Sequence, residues 1–262
     1  MLEGRSQLWK KIEIVGDIAI IPVPFHFDPD ELRKYAQEVM DRTKVKSVWG
    51  RKRDVGGTFR LPTYLHLAGD ERSDTLYREH GSLFYLDIRK VFFSQKLTFE
   101  HRRIAEAVKR DEIVVNMFSG FGAISILSYK IGRPKVVYSI DLNPHAYYYM
   151  MVNVELNNAY GVIPIYGDAF SKMRKLEEAD RIISPLPERD KEAYSVAMEK
   201  LKPGGTLHLF AEVKVERGED PVVKAMSRFP GSVNGRIVRS TNPGKYHVVL
   251  DIVKKPGIRE GI

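Results

Sequence analysis

Val114-Val115-Asn116-Met117-Phe118-Ser119-Gly120-Phe121-Gly122 is the stretch on which the fold turns. An apolar run, Glu112 to Phe118, reads as a buried strand, and Gly120 to Ile131 as a turn followed by a helix. Glycine lets the backbone approach a ligand closely, and the helix N-terminus favours negative charge. Ser125 stands where the third glycine of G-x-G-x-x-G would be, so the dinucleotide fingerprint is incomplete and a nicotinamide cofactor is disfavoured.

Working outward, helix and strand alternate. Leu97 to Lys109 has helical spacing with Ile104, Ala105 and Val108 inward. Lys135 to Ile140 reads as a strand, Pro144 to Asn157 as a helix and Val162 to Tyr166 as a strand. Arg181 to Ser184, a helix from Arg189 to Leu201, and a strand from Thr206 to Val213 follow. This order predicts an α/β fold with a mostly parallel sheet and helices on both faces. Arg236 to Ser240 and Tyr246 to Val253 flank Thr241-Asn242-Pro243-Gly244, which predicts a hairpin and an antiparallel C-terminal edge.

Residues 1–86 have a different texture, that of a small α+β domain ahead of a larger one at 87–262. Ile12 to Val23 is strand-rich and split at Gly16-Asp17. Pro29 to Thr43 places Leu32, Tyr35, Ala36, Val39 and Met40 on one helical face, with Asp28 as N-cap. Arg51-Lys52-Arg53, Gly56-Gly57 and Pro62 read as loop signals.

Composition narrows the function. At 262 residues and 43% hydrophobic the chain can bury a core. It has no cysteine, which excludes disulfides and thiolate metal sites. His145 and His247 have no partner at metal spacing, and no metal is assigned. No apolar run follows the charges of Met1 to Arg5, and Ile18 to Val23 is too short to span a bilayer. A cytoplasmic protein without a membrane segment is expected, with a monomer as the default. The net charge of +8 fits either a densely charged surface or a polyanionic partner.

The glycine turn and two acids sit on three successive strand ends. Beyond the glycine turn, Asp141 closes the next strand and can accept both ribose hydroxyls of an adenosine; Asp168 follows Gly167 one strand later. Asp141 could equally form a turn ahead of Asn143-Pro144, and Asp168 a simple turn. The fourth strand ends in Ile183-Ser184-Pro185-Leu186-Pro187. Two prolines stiffen this segment and leave carbonyls free, as a slot for an extruded base requires. Arg60 could stabilise charge on a purine oxygen and Glu100 could accept a ring proton, although either could be a surface ion pair. Lys44, Lys46, Arg51, Lys52 and Arg53 surround Trp49, a composition suited to nucleic acid or to a solvated loop over one buried Trp. Most of Tyr147-Tyr148-Tyr149-Met150-Met151 is expected to pack on the sheet.

Together these segments resemble a known family, that of the archaeal and eukaryotic tRNA guanosine-37 N1-methyltransferases and the wybutosine-pathway aminocarboxypropyltransferases. The likeness runs from about Val45 to the C-terminus. It includes Phe59-Arg60-Leu61-Pro62, the run from Leu86 to Ser94, the glycine turn, Ile140 to Ala146, Ser184 to Pro187, and Tyr246 to Ile252. The resemblance implies a Rossmann-like class I methyltransferase domain behind a smaller domain that helps hold tRNA, with S-adenosylmethionine as donor. It implies Arg60, Glu100, Ser184, Pro185 and Pro187 at the reacting centre. Phe92, Ser94, Lys96, Asn116, Phe118, Gly120, Gly122, Asp141, Leu142, Asn143, Asp168 and Ala169 are implied around the cofactor. Departures from the family pattern are Asn116 for an acid, Gln95-Lys96 for Pro-Arg, and Ser184 for Asn. A methyltransferase for the purine at position 37, guanosine or a wyosine-type derivative, is the leading expectation. Aminocarboxypropyl transfer and a non-catalytic tRNA-binding role stay open.

Overall fold

The computed structural model describes residues 12–24, 28–57, 59 and 61–256, apart from the side chains of 53–55. The chain divides into two compact units, Met1–Gln95 and Lys96–Ile262. The first ends at Gln95 rather than at residue 86 because the segment beyond the last strand packs back within it. Phe93 meets Tyr77 edge-on at 4.9 Å, and Gln95 Nε2 donates to Ile14 O at 2.5 Å.

In the first unit, β1 (Glu13–Val15), β2 (Ile18–Pro22), β3 (Ser47–Gly56) and β4 (Leu61–Gly69) form one sheet in that order. α1 (Pro29–Thr43) connects the parallel pair β2–β3. Its Leu32, Tyr35, Ala36 and Val39 recur at three- and four-residue intervals and bury against Ala19, Ile21, Val45 and Val48. Asp28 accepts from Asp30 N and Glu31 N, the N-cap expected of it, with an effect of about 1 kcal/mol. β5 (Asp74–Glu79) and β6 (Ser82–Asp87) form a separate antiparallel hairpin.

The loop expected around residues 51–62 is mostly strand. Arg51 pairs with Tyr64 and Val55 with Pro62. Pro62 is tolerated because β4 lies at the sheet edge, with a neighbouring strand on one side only. Trp49 is buried, its Nε1 donating to Arg72 O at 3.0 Å and its ring edge-on to His66. It anchors the unit and is not open for stacking on a base.

The second unit begins with α2 (Thr98–Ala107), which buries Ile104 and Ala105; Val108 just beyond is buried too. Then alternate β7 (Ile113–Asn116), α3 (Ala123–Gly132), β8 (Val136–Asp141), α4 (Pro144–Leu156), β9 (Val162–Tyr166), α5 (Ala169–Met173) and β10 (Ala179–Ser184). α6 (Asp190–Lys200), β11 (Leu201–Lys214), α7 (Pro221–Arg228), β12 (Ser232–Asn242) and β13 (Lys245–Val253) complete it. The sheet order is β12-β13-β11-β10-β7-β8-β9. β11, β10, β7, β8 and β9 pair in parallel, while β13 and β12 are antiparallel, as the terminal hairpin predicts.

One sheet face carries the main core. Val115, Ile182, Leu207, Leu209 and Leu250 pack with Phe170 of α5, Val196 of α6 and Ala225 of α7. Each large aliphatic side chain fully removed from water contributes about 1.5–3 kcal/mol. Ile183, His208 and Asp251 are mutual register partners, one residue out of step with this set, so they point to the opposite face. Of the tyrosine–methionine run in α4, Tyr149 and Met150 are buried as expected, whereas Tyr148 and Met151 face outward.

Candidate active site

The carboxyl ends of the parallel strands are tied to one another by backbone hydrogen bonds. Met117 N donates to Ile183 O, Ser119 N to Ile140 O and Gly167 N to Asp141 O, each at 2.9 Å. The turns after β7, β8 and β9 are thereby brought into one crevice edge, the position where open α/β sheets bind ligands. This edge carries Asn116, Phe118, Gly120, Gly122, Asp141, Leu142, Asn143, Asp168 and Ala169.

Gly120 (φ +55°) and Gly122 (φ +94°) adopt left-handed backbone conformations that favour glycine. A Cβ on Gly120 would meet nothing within 4 Å, so open space lies beside its backbone. Asp141 Oδ2 accepts from Gly120 N at 2.7 Å, and Oδ1 from Asn143 N at 2.9 Å. Burial pushes its carboxyl above the usual range, against the pull of the N–H groups of Asn143, Gly120 and Leu142. A carboxylate has about four acceptor sites, so these N–H groups leave acceptor capacity spare. Asp141 thus forms the turn ahead of Asn143-Pro144 and still offers acceptors to a diol. Asn143 itself caps α4, accepting from His145 N. Asp168 caps α5 through Oδ1, which takes both Ser171 N and Oγ; its side chain is exposed. Leu142 is exposed and Ala169 buried, and Phe118 lies edge-on to Phe170 at 5.7 Å. Asn116 is fully buried, donating from Nδ2 to Ser125 Oγ at 3.0 Å with Oδ1 unpartnered. Asn116 and Ser125 therefore form a neutral pair where sequence reasoning saw two separate departures.

At the end of β10, Ser184 is completely enclosed and its Oγ has no partner. Pro185 is half-buried and Pro187 buried. The surface of this loop is therefore offered by Pro185 and Leu186 rather than by the serine hydroxyl.

Glu100 differs from an open base. It lies in the first turn of α2 with 2% of its surface exposed. Arg103 Nε donates to its Oε2 at 2.7 Å, and Arg236 Nε lies 3.0 Å from Oε1. These contacts end a polar chain that sequence reasoning missed. Arg181 donates from Nε and Nη2 to Glu112 and from Nη1 to His208 Nε2 at 2.7 Å. Arginine can only donate, so His208 Nε2 is an acceptor and the ring is neutral, with its proton on Nδ1. That proton is donated to Asp251 Oδ1 at 2.6 Å. Arg103 then grips Asp251 through both Nη atoms, at 2.8 and 3.1 Å. Burial lowers the His208 pKa. For Asp251, burial acts upward, but hydrogen bonds from His208 and Arg103 hold the carboxyl far below the usual carboxylate range. Three carboxylates, Glu112, Asp251 and Glu100, balance three guanidiniums, Arg181, Arg103 and Arg236.

The remaining expected residues divide between the units. Lys96 is exposed at the start of the second. In the first unit, Phe92 is exposed, Ser94 half-buried, and Lys44 and Lys52 stand on the surface. Lys46 lies 4.0 Å from Asp17. Arg51 makes a two-pronged pair with Glu13 at 3.1 and 3.0 Å, so its charge is locally neutralised. Arg60 and the side chain of Arg53 lie outside the described residues. Among the described residues no cluster of His, Asp and Glu could hold a metal ion, and no helix is long and apolar enough to cross a membrane.

Residues 75–230 match the TRM5/TYW2 methyltransferase domain, and residues 3–73 the TYW2 N-terminal domain. The chain belongs to the TRM5/TYW2 methyltransferase family. It is 62% identical over 252 residues to the tRNA 4-demethylwyosine(37)-methyltransferase Taw21 of Saccharolobus solfataricus, covering 96% of each chain. Among solved structures, the complex of aTrm5 and tRNALeu superposes with a TM-score of 0.85 at 28% identity, over 97% of this chain and 76% of that one. Methanocaldococcus jannaschii TYW2 in complex with AdoMet gives 0.66 at 27% identity, over 94% and 100%. The TRM5/TYW2 assignment agrees with the expected α/β fold, a mostly parallel sheet with an antiparallel edge behind a smaller N-terminal unit.

Proposed function

We propose that this protein is an S-adenosylmethionine-dependent tRNA methyltransferase acting on the purine at position 37, with a 4-demethylwyosine-type tricyclic base as its substrate. The crevice edge of the second unit carries this reading. Open space beside Gly120 and spare acceptor capacity on Asp141 suit an adenosine whose ribose diol meets the carboxylate. The tricyclic substrate is favoured by the 62% identity to a 4-demethylwyosine methyltransferase over nearly the whole chain.

When bound, S-adenosylmethionine supplies a methyl group activated by its sulfonium charge. The chain's own residues bind and align. Asp141 receives the ribose, Asn143 and Asp168 fix the turns on either side, and Phe118 with Leu142 offers apolar surface to the adenine. Pro185 and Leu186 form a stiff wall for the extruded base. The family resemblance assigns the guanidinium for the purine oxygen to Arg60, which lies outside the described residues. Methyl transfer would leave the carbon–sulfur electron pair on sulfur, and the part of these residues is to hold the ring atom in line with the methyl group. The ring proton then passes to Glu100. Alignment supplies most of the acceleration and proton removal the rest. Lys44, Lys46, Lys52 and Arg53 contact the tRNA backbone.

Incubation with cofactor and tRNA bearing either guanosine or 4-demethylwyosine at position 37, followed by nucleoside mass spectrometry, tests this. One added methyl on the tricyclic base is expected. Addition of an aminocarboxypropyl group would establish the family's other reaction, and no product with tRNA bound would establish a binding protein.

A further inference from the structure

We infer that Arg103 is a positioning residue that fixes Glu100 for proton transfer, and that it is itself anchored by Asp251 of the C-terminal hairpin. This rests on the proposed role of Glu100.

The two arginines that meet Glu100 are not equivalent. Arg103 is the more enclosed, with 22% of its side chain exposed, and it makes a directed 2.7 Å hydrogen bond to Oε2. Its other nitrogens are committed to Asp251. Asp251 cannot drift, because His208 donates to it and Arg181 donates to His208. Arg236 has 41% of its side chain exposed and stacks on Phe99 at 4.0 Å. Its Nε lies 3.0 Å from Oε1 yet makes no directed hydrogen bond. Oε2 is thus the fixed oxygen and Oε1 the one that can change partner. A side chain anchored at one oxygen keeps its free oxygen on a defined vector. Proton transfer needs heavy atoms within about 2.6–3.2 Å, so that vector sets the rate.

Arg103 is committed to Glu100 and Asp251 and so acts through Glu100. Its guanidinium bridges two carboxylates that lie on different elements. Lysine at this position would keep the charge but lose the planar fork that spans both.

Four variants of the full chain separate the possibilities, each checked for an unchanged melting profile and cofactor affinity. Glu100→Gln is expected to lower kcat by roughly a hundredfold, the scale of a lost general base. Arg103→Ala should lower kcat by about tenfold or more with KM for tRNA little changed, a misplacement effect, and Arg103→Lys should recover only part of the loss. The double variant Glu100→Gln, Arg103→Ala should be no slower than Glu100→Gln alone, because one residue acts through the other. Normal turnover in Glu100→Gln would remove the role of Glu100. A slow Glu100→Gln beside a normal Arg103→Ala, or losses that multiply in the double variant, would overturn the inference about Arg103 alone. Should Arg103→Ala fold poorly, Asp251→Asn removes the anchor while keeping the Arg103–Glu100 bond, and the same kcat-specific loss is expected. A crystal structure of either variant gives a readout independent of turnover: Glu100 should leave its present rotamer or occupy two. An unmoved carboxylate would also overturn the inference.

Discussion

Gly120 and Asp141 are joined by a 2.7 Å hydrogen bond from the glycine N–H to the carboxylate Oδ2, which ties the turn after β7 to the end of β8. The same carboxylate that shapes the crevice is the one we propose meets the ribose. Asp141→Ala should weaken S-adenosylmethionine binding by at least about tenfold, the scale of a lost charge-assisted hydrogen bond. Isothermal calorimetry reads this directly, and equal affinity would remove Asp141 from the cofactor site.

The two glycines of the turn should fail in different ways. Both are left-handed, so alanine at either costs about 1–2 kcal/mol in backbone strain. At Gly122 the new methyl also lies 3.0 Å from Met150 Cγ, whereas at Gly120 it enters open space. Gly122→Ala should therefore show the lower melting temperature. Gly120→Ala should lose more cofactor affinity, because its methyl projects into the space assigned to ligand.

Stability of the second unit should fall on the acid side in two stages. His208 has a folded pKa below its unfolded value, so the unfolded chain binds a proton first as pH drops below about 6.5. The stability associated with a neutral His208 is present above that pH and is lost below it, by at most about 1.4 kcal/mol per pH unit. Asp251 is depressed as well, so its contribution is present above about pH 4 and is lost on further acidification. Denaturant titrations across pH 4–7 should show the first stage in the native chain and a smaller one in His208→Gln, where His247, also held low by burial, still contributes. An undiminished slope in the variant would remove His208 from this stage.

Neighbouring cations on β3 should divide between structure and RNA. Arg51 is spent on Glu13, whereas Lys52 is exposed. Lys52→Ala should weaken tRNA binding and reduce the slope of log affinity against log salt by up to about one. Arg51→Ala should instead lower thermal stability and change that slope less. The opposite pattern in filter binding at several salt concentrations would contradict this division.

How far the sequence was readable depended on the range of each interaction. The glycine turn, the Asp141–Asn143 turn and the N-cap Asp28 depend on residues within a few positions, and local rules found these shapes. Residues 51–62 were misread because cations, glycines and Pro62 look like a loop when strand pairing is unknown. Glu100 was singled out but its surroundings were not. Arg103 and Asp251 are 148 positions apart, and no spacing rule joins them. Arg181, His208 and Glu112 were silent for the same reason: each is an ordinary charged residue until the sheet register sets it beside its partner.

The two outer strands of the seven-stranded sheet have a consequence for how the protein behaves at high concentration. β9 carries Pro164, which removes an amide donor from that rim. β12 slips register against β13 at Ser232/Asn234, Ile237/Arg239 and Ser240/Asn242, so its outer side is irregular. An incoming strand would find no evenly spaced ladder at either rim, and runaway edge-to-edge association is discouraged at both. Restoring regularity, for instance with Pro164→Val, would remove one of these guards without touching the crevice.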